Sequence, residues 1–230
     1  MNVLVRAADR FSAPFRRRLL MRRVRRLVLE SWDGLSILVL PDVLNPVVFR
    51  SGTLLAGALS KLAPLARPGG APRALDMGTG SGIGALALAR AGFSVVAVDV
   101  NPEAVRCARI NALLNRLDGR VDVREGDLFA TAGEEPFDVV AFNPPFFDGD
   151  PSDLHDAAWR GAGVFERFAA ELPARLAPAG VALVVLSDHG AEERQCAALR
   201  AAGLEVSVHA RRAWANERLT VWAARRPEAA

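Results

Sequence analysis

Short apolar segments alternate with segments of helical periodicity from residue 73 onward, and this alternation constrains the fold more than any other feature of the chain. Segments 139–142 and 181–186 are apolar without interruption, as is typical of parallel strands that helices cover on both faces. The pattern predicts strands at 73–77, 94–98, 121–125, 137–142 and 181–186, and helices at 82–91, 102–114, 164–176 and 191–202. Two further strands, 204–210 and 218–224, follow without a long helix between them. We therefore expect an α/β fold with a doubly wound, mostly parallel sheet of seven strands that ends in an antiparallel hairpin.

The first part of the chain has a different pattern. Apolar side chains recur at helical spacing between the arginines of residues 15–26, which predicts a helix there, and a second helix is expected at 51–62. Segments 27–30 and 35–40 flank Asp33-Gly34, a dipeptide typical of tight hairpin turns. A small extension of helix and hairpin is thus expected before the sheet.

Residues 64–73 are rich in proline and glycine and have no period, so we expect a linker there. It would separate an accessory region, 1–63, from the main domain, 74–230. Charge also differs between the two parts: residues 1–30 contain nine arginines and two acidic residues, a net charge of +7, although the whole chain carries only +3. Such a segment is either an arm for nucleic acid or another anionic partner, or the solvated face of an amphipathic helix.

Composition excludes several classes of protein. The sequence lacks the run of roughly 18 apolar residues that a membrane-spanning helix requires. The two cysteines, Cys107 and Cys196, are far apart in sequence, and the chain has only three histidines. Neither a disulfide framework nor a metal site is therefore expected, and a reducing, cytoplasmic location fits.

A glycine-rich loop follows the first strand of the domain. In Asp76-Met77-Gly78-Thr79-Gly80-Ser81-Gly82 the glycines allow a sharp turn and the close approach of a ligand, and the next helix begins with free N–H groups. The spacing also fits a dinucleotide-binding loop or a simple turn. Asp76 distinguishes these possibilities, because a carboxylate is unfavourable beside a pyrophosphate but favourable beside the ammonium of a methionine moiety.

Two more acids end the next two strands. Asp99 is placed to accept the hydroxyls of a ribose, and Asp127 to accept an adenine amino group. The three carboxylates together predict a site for S-adenosylmethionine. The candidate cofactor-binding residues are Asp76, Gly78, Thr79, Gly80, Gly82, Asp99, Val100, Asp127, Leu128 and Asn143.

The fourth strand is followed by Asn143-Pro144-Pro145-Phe146, the candidate catalytic residues. Ligands of open α/β sheets bind beyond the carboxyl ends of the strands, where this motif lies. The Asn143 side-chain oxygen and the Pro144 carbonyl can accept both hydrogens of a planar –NH2 group, and Phe146 can stack on the group that carries it. The motif therefore predicts transfer of a methyl group to nitrogen, although an ordinary Asn-Pro turn would have the same sequence.

These motifs resemble those of the HemK/PrmC-type class I methyltransferases. The resemblance covers residues 38–224 and includes the glycine loop, Val-Asp-Val-Asn-Pro at 98–102, the Asn-Pro-Pro-Phe motif and Trp159-Arg160-Gly161. It implies a Rossmann-like class I methyltransferase sheet, S-adenosylmethionine as cofactor, S-adenosylhomocysteine as product, and a protein glutamine or an adenine-type base of RNA or DNA as acceptor.

Two features leave the acceptor open. Phe146 stands where glutamine-modifying relatives have tyrosine, and the acidic loop 147–156 suits a cationic small molecule or a basic peptide better than a phosphate backbone. A macromolecular substrate, protein or nucleic acid, is the leading hypothesis. A small biosynthetic metabolite is the alternative, and a cofactor-binding subunit without activity is the third possibility. No membrane partner is expected.

Overall fold

The computed structural model describes residues 26–63, 71–147, 149–150, 152 and 156–227. The helix expected at 15–26 lies outside these residues except for Arg26, as do 64–70 of the expected linker. The described chain contains nine strands: β1 Val28–Trp32, β2 Leu35–Val39, β3 Arg73–Met77, β4 Ser94–Asp99, β5 Val121–Glu125, β6 Phe137–Phe142, β7 Leu176–Ser187, β8 Glu205–Ala213 and β9 Arg218–Arg225. The α-helices are α1 Ser51–Leu59, α2 Ile83–Arg90, α3 Pro102–Leu114, α4 Val164–Arg175 and α5 Glu192–Ala201.

Seven of the strands form one sheet in the order β5-β4-β3-β6-β7-β9-β8. Neighbours from β5 to β7 are parallel, whereas β9 pairs antiparallel with both β7 and β8. The doubly wound sheet and its C-terminal hairpin are as predicted from the sequence. Strand order reverses beside β3, the position at which open α/β sheets bind ligands.

Helices cover both faces of the sheet and create two buried clusters. One face packs α1, α2 and α3, with side chains such as Leu59, Leu86 and Val105, and the other packs α4 and α5 around Phe168 and Leu199. Apolar segments with no polar face are explained by this double coverage.

The local sequence accounts for the start of helix α3. The side chain of Asn101 accepts a hydrogen bond from the Glu103 N–H at 2.9 Å, and Pro102 occupies the first turn, where its missing N–H is not needed. Since Asn101 immediately follows β4 and Val100, this cap also fixes the chain at the carboxyl end of the strand.

The β1–β2 hairpin is attached to helix α3 by two asparagines. Asn111 accepts from the Leu38 N–H at 2.8 Å and donates to the Leu38 carbonyl at 2.7 Å, and Asn115 makes the same pair of bonds with Ser36. The side-chain amides thus satisfy backbone groups of β2 that a neighbouring strand would otherwise pair.

Most element boundaries lie within a few residues of the predicted ones. The largest difference is β7, which begins at Leu176, five residues before the expected 181, because its pairing with β6 continues past an irregularity between Phe137 and Val139. Arg73, assigned to the linker as well as to a strand, belongs to β3, where its N–H donates to Asp138 at 2.8 Å.

Residues of the accessory region share the first buried cluster with the sheet, so residues 35–59 pack as part of the main core. The division at 64–73 stays a prediction. Among the described residues, no helix is long and apolar enough to cross a membrane.

Candidate active site

A cavity of about 460 Å³ opens at the carboxyl ends of β3, β4, β5 and β6, a size typical of ligand pockets. The predicted residues that line it are Asp76, Gly78, Thr79, Gly80, Asp99, Val100, Asp127, Leu128, Asn143 and Pro145. The fold therefore brings most of the cofactor set and the Asn-Pro-Pro motif to one cavity.

The glycine loop makes its turn through left-handed backbone. Gly78 and Gly80 have φ values of +61° and +55°, which L side chains rarely adopt. The Thr79 N–H donates to the Val98 carbonyl at 3.0 Å, which ties the loop to β4. Nothing described lies within 4 Å of a Cβ added at Gly80, so the loop backbone there is open to a ligand.

Asp76 is the most buried acid of the pocket. Its Oδ2 accepts from the Thr79 hydroxyl at 2.6 Å and from the Ala85 N–H at 2.8 Å, at the beginning of α2. Burial raises the pKa of Asp76 from 3.8 to about 7, these two hydrogen bonds oppose the shift, and Asp99 adds to it. A carboxylate with so high a pKa lacks a cationic partner, so a bound cation would be strongly favoured beside it.

Gly84, which is not among the site residues predicted from the sequence, makes this position of Asp76 possible. A Cβ at Gly84 would lie 2.5 Å from Asp76 Oδ1. The glycine at this position is therefore required by the carboxylate and could have been inferred from the third glycine of the loop-to-helix pattern.

Asp99 holds the loop from the other side. Its Oδ2 accepts from the Gly80 N–H at 2.8 Å and its Oδ1 from the Asn101 N–H at 2.9 Å. Burial raises the pKa of Asp99 as well, against these backbone hydrogen bonds. The carboxylate is thereby fixed at the carboxyl end of β4, where the sequence placed a ribose.

Asp127 differs from the other two acids because it has a cationic partner. Arg167 of α4 donates to it at 2.6 and 3.3 Å, and both side chains are about half exposed. The neighbouring Leu128 is 7% exposed and has a φ of +48°, a strained conformation of the kind found at ligand-binding sites. Arg167 was not identified from the sequence, because the pair joins residues 40 positions apart.

Asn143 has one satisfied and one unsatisfied side-chain atom. Its Nδ2 donates to the hydroxyl of Ser51, the buried first residue of α1, at 3.2 Å. Its Oδ1 is buried and has no hydrogen-bond partner among the residues that the structure describes. Buried polar atoms are nearly always paired, so this oxygen marks a position for a donor from a ligand.

Three predicted residues do not line the cavity. Gly82 caps α2 in the left-handed conformation, and a Cβ there would lie 3.1 Å from Ala108, so its role is structural. Pro144 is buried, and the ring of Phe146 packs against the first core cluster beside the pocket wall. Stacking of Phe146 on a substrate stays a prediction.

The accessory region contributes a wall of the cavity that the sequence did not reveal. Asp42, Val43, Leu44 and Pro46 line it, together with Gly52 and Leu55 of α1. Asn101 donates to the Asp42 carbonyl at 2.9 Å, which holds this segment against β4. Loop 147–156, of which 147, 149, 150, 152 and 156 are described, adds Asp150.

Known proteins resemble this chain over most of its length. The methyltransferase small domain family matches residues 45–212. A release factor glutamine methyltransferase of Deinococcus radiodurans is 38% identical over 151 residues, 60% of this chain and 53% of that protein. A ribosomal RNA small subunit methyltransferase C of Alcanivorax borkumensis is 35% identical over 165 residues, 68% of this chain and 46% of its own length. The chain thus spans about half the length of these curated relatives.

Among solved structures, a 16S rRNA N2 G1207 methyltransferase of Thermus thermophilus, in complex with AdoMet and guanosine, superposes with a TM-score of 0.62. It is 25% identical in sequence, and the match covers 87% of this chain and 50% of that chain. The class I methyltransferase fold expected from the motifs is confirmed.

Proposed function

Because the chain belongs to the methyltransferase small domain family, we propose that it transfers the methyl group of S-adenosylmethionine to a planar amino or amide nitrogen of a macromolecule. The observation that carries this proposal is the buried, unpartnered Oδ1 of Asn143 in the wall of a pocket that also contains Asp76 and Asp99. The pocket offers carboxylates for a cationic cofactor and one acceptor atom for a donor substrate.

The residues present fit S-adenosylmethionine. Asp76 Oδ1 accepts no hydrogen bond from the described residues and would bind the ammonium of the methionine part, which would lower the pKa of this carboxyl from its raised value. The open backbone of Gly80 would lie against the same part. Asp99 would accept from the ribose, and Asp127 with Leu128 would contact the adenine.

The chain's own residues supply positioning. Asn143 Oδ1, which lies in the pocket wall, would accept one hydrogen of the substrate –NH2 group and so orient the nitrogen lone pair. The Pro144 carbonyl as acceptor of the other hydrogen stays a prediction from the sequence, because Pro144 does not line the pocket. As the nitrogen becomes positive, Asn143 Oδ1 stabilises the charge, and the extra proton then passes to solvent. When bound, the cofactor supplies a methyl group on a positively charged sulfur and leaves as S-adenosylhomocysteine.

The relatives support a macromolecular acceptor over a small metabolite. One relative is named for a glutamine of a release factor and the other for ribosomal RNA. Both acceptors present a planar nitrogen that two acceptor atoms can orient, so the site chemistry is common to the two classes. Because both belong to translation, we further propose that the protein acts in the cytoplasm.

The test is methyl transfer from radiolabelled S-adenosylmethionine into a cell extract separated into protein, RNA and small molecules. We expect label in protein or RNA with the wild-type chain and none with Asn143→Ala. Both proteins should bind the cofactor equally in calorimetry, which excludes a folding defect. Label confined to the small-molecule fraction, or equal label with Asn143→Ala, would overturn the proposal.

A further inference from the structure

A second cleft, of about 780 Å³, lies on the other side of helix α1 from the active site. Gly52 and Leu55 of this helix line the active-site pocket, whereas Thr53, Leu54 and Gly57 line the cleft. Its other walls come from the β1–β2 turn and from β8 with the residues after it. The proposed methyl transfer uses none of these residues.

The cleft carries positive charge that the described protein does not neutralise. Arg50, Lys61 and Arg212 line it, and none of them forms a salt bridge with an acidic residue of the described segments. Asp33 is the acidic residue in its lining, and Arg90 binds that carboxylate. These three cations are therefore available to an anion.

The pKa of His209 reflects the positive charge of the cleft. It lies at an irregularity between Val208 and Ala210 in the pairing of β8 with β9, and it lines the cleft beside Ala210 and Arg212. Its pKa is lowered by burial and, in addition, by the positive charges of Arg225 and Lys61. A phosphate in the cleft would relieve this accumulation of positive charge.

Planar groups stack in the cleft. The guanidinium carbons of Arg50 and Arg212 lie 5.0 and 5.5 Å from the centre of the Trp214 ring, and Trp32 also lines the cleft. Both tryptophans are only partly buried. Unpaired nucleobases stack on indole rings and on guanidinium planes alike, whereas phosphates take the guanidinium N–H groups.

The cleft is connected to the active site through consecutive residues. Arg50 lines the cleft, and the next residue, Ser51, holds Asn143 of the active site. Arg50 is the N-cap residue of α1 and has a φ of +52°, which is uncommon for a residue other than glycine, and its guanidinium lies over Trp214. Phe49 packs edge-on against Trp159, with ring centres 4.6 Å apart, close to Arg160 of the pocket wall.

We propose that this cleft binds a single-stranded nucleic acid and so presents one of its bases to the active site. The inference deepens the proposed function and rests on it for the identity of the strand as substrate. Charge complementarity and the stacked planar groups favour a nucleic acid over an acidic peptide, since a peptide would use the cations but has no set of flat bases for the tryptophans.

Equilibrium binding of fluorescent strands of about 12 nucleotides tests the proposal. RNA and DNA of the same sequence are titrated with the full-length protein without cofactor, so the result does not depend on methyl transfer. We compare wild type with Arg50→Gln/Lys61→Gln/Arg212→Gln and with a control of equal charge change, Arg116→Gln/Arg120→Gln/Arg200→Gln, whose three arginines are exposed outside the cleft. A third protein, Trp214→Leu, removes the stacking platform.

The cleft variant is expected to bind at least about tenfold more weakly than the control variant. The dependence of log K on log salt should flatten by about 2 for the loss of three phosphate contacts, against about 0.7 for each contact to a single strand. Trp214→Leu should weaken binding about fivefold or more with little change in salt dependence. Whichever of RNA and DNA binds more tightly identifies the source of the strand.

Three results would overturn the proposal: no binding of either strand by the wild type, equal loss in the cleft and control variants, or tighter binding of an acidic peptide than of both strands. Unchanged melting of the variants and unchanged cofactor binding exclude unfolding. If the methyl-transfer test labels a protein while the cleft binds the strand strongly, the nucleic acid is not the substrate, but the cleft is still a binding site for it.

Discussion

The active-site pocket and the basic cleft lie against opposite sides of helix α1, and they differ in charge and in burial. The pocket has two carboxyls whose pKa values are raised, the buried Asp76 and the partly buried Asp99. The cleft has exposed cations, Arg50 and Lys61, without acidic partners in the described chain. A buried carboxylate without a counter-charge is costly and is tolerated where a ligand supplies the charge. Exposed cations cost little, so they attract a partner without destabilising the fold.

This difference implies that the two sites respond to different variables. Ligand binding in the pocket should depend on pH, because a proton competes for Asp76. Binding in the cleft should depend on salt, because counterions compete for the phosphates. Ser51 lies between them and links the backbone of the cleft to Asn143.

The largest effect is expected for Asn143→Ala. Removal of the oriented acceptor should lower turnover by about 10²–10³-fold, the loss typical of one stabilising hydrogen-bond group at a reacting centre. Cofactor affinity should change less than about threefold, because Asp76 and Asp99 remain. Steady-state kinetics and calorimetry measure the two quantities, and a variant with normal turnover would show that Asn143 Oδ1 does not orient the acceptor.

A smaller effect is expected for Asp76→Asn, which keeps an acceptor for Thr79 and Ala85 but removes the negative charge. Cofactor affinity should fall by about 10- to 100-fold, the value of a hydrogen bond between charged groups. Calorimetry with the cofactor measures it. Asp127→Asn is the control, because Asp127 is half exposed and already paired with Arg167, so its loss should matter less.

The same carboxyl gives the pocket its pH dependence. With a pKa of about 7 in the cofactor-free protein, Asp76 is protonated at lower pH, and cofactor binding must then release the proton. The association constant of the wild type should therefore fall by up to about tenfold per unit of pH below 7. In Asp76→Asn the association constant should depend on pH much less than in the wild type. An unchanged pH dependence in the variant would show that another group titrates.

Stability of the cofactor-free protein should change with pH in the opposite sense. The folded state holds the Asp76 proton up to about pH 7, whereas the unfolded chain releases it near 3.8. The stabilisation from this group is thus fully present below pH 3.8 and is lost as pH rises through 7. Asp76→Asn should raise the free energy of unfolding at pH 8 by about 2 kcal/mol relative to wild type and have little effect near pH 4, as measured in urea. Equal effects at both values would contradict the raised pKa.

The sequence was sufficient for features that depend on neighbouring residues. Continuous apolar segments located the strands, and the position of Asp76, Asp99 and Asn143 directly at strand ends placed them at one edge of a parallel sheet. The glycine loop was recognisable because its turn needs φ values that glycine favours, as Gly78 and Gly80 show. These inferences require only local geometry and the direction of the strands.

Features made by distant residues were not predictable in the same way. Ser51 and Asn143 are 92 positions apart, and the cleft joins Trp32, Arg50 and Trp214 from three parts of the chain. Neither a serine at the start of a helix nor an arginine before it has a sequence signal for its partner. Similarly, Asn111 on helix α3 has the pattern of a polar helix position, yet it is fully buried and binds the backbone of β2.

The smallest expected effect concerns the connection between the two regions. Ser51 accepts the Asn143 amide hydrogen at 3.2 Å and so fixes which amide atom is left for the substrate. Ser51→Ala should lower kcat by about fivefold, the value of one neutral hydrogen bond, with little change in cofactor affinity. Ser51→Thr keeps the hydroxyl and should restore most of kcat. Two results would contradict this role: a change in KM of Ser51→Ala with kcat unchanged, or equal kcat values for the alanine and threonine variants. Either would show that Ser51 packs against Asn143 without orienting it, and that the pocket and the cleft are independent in function.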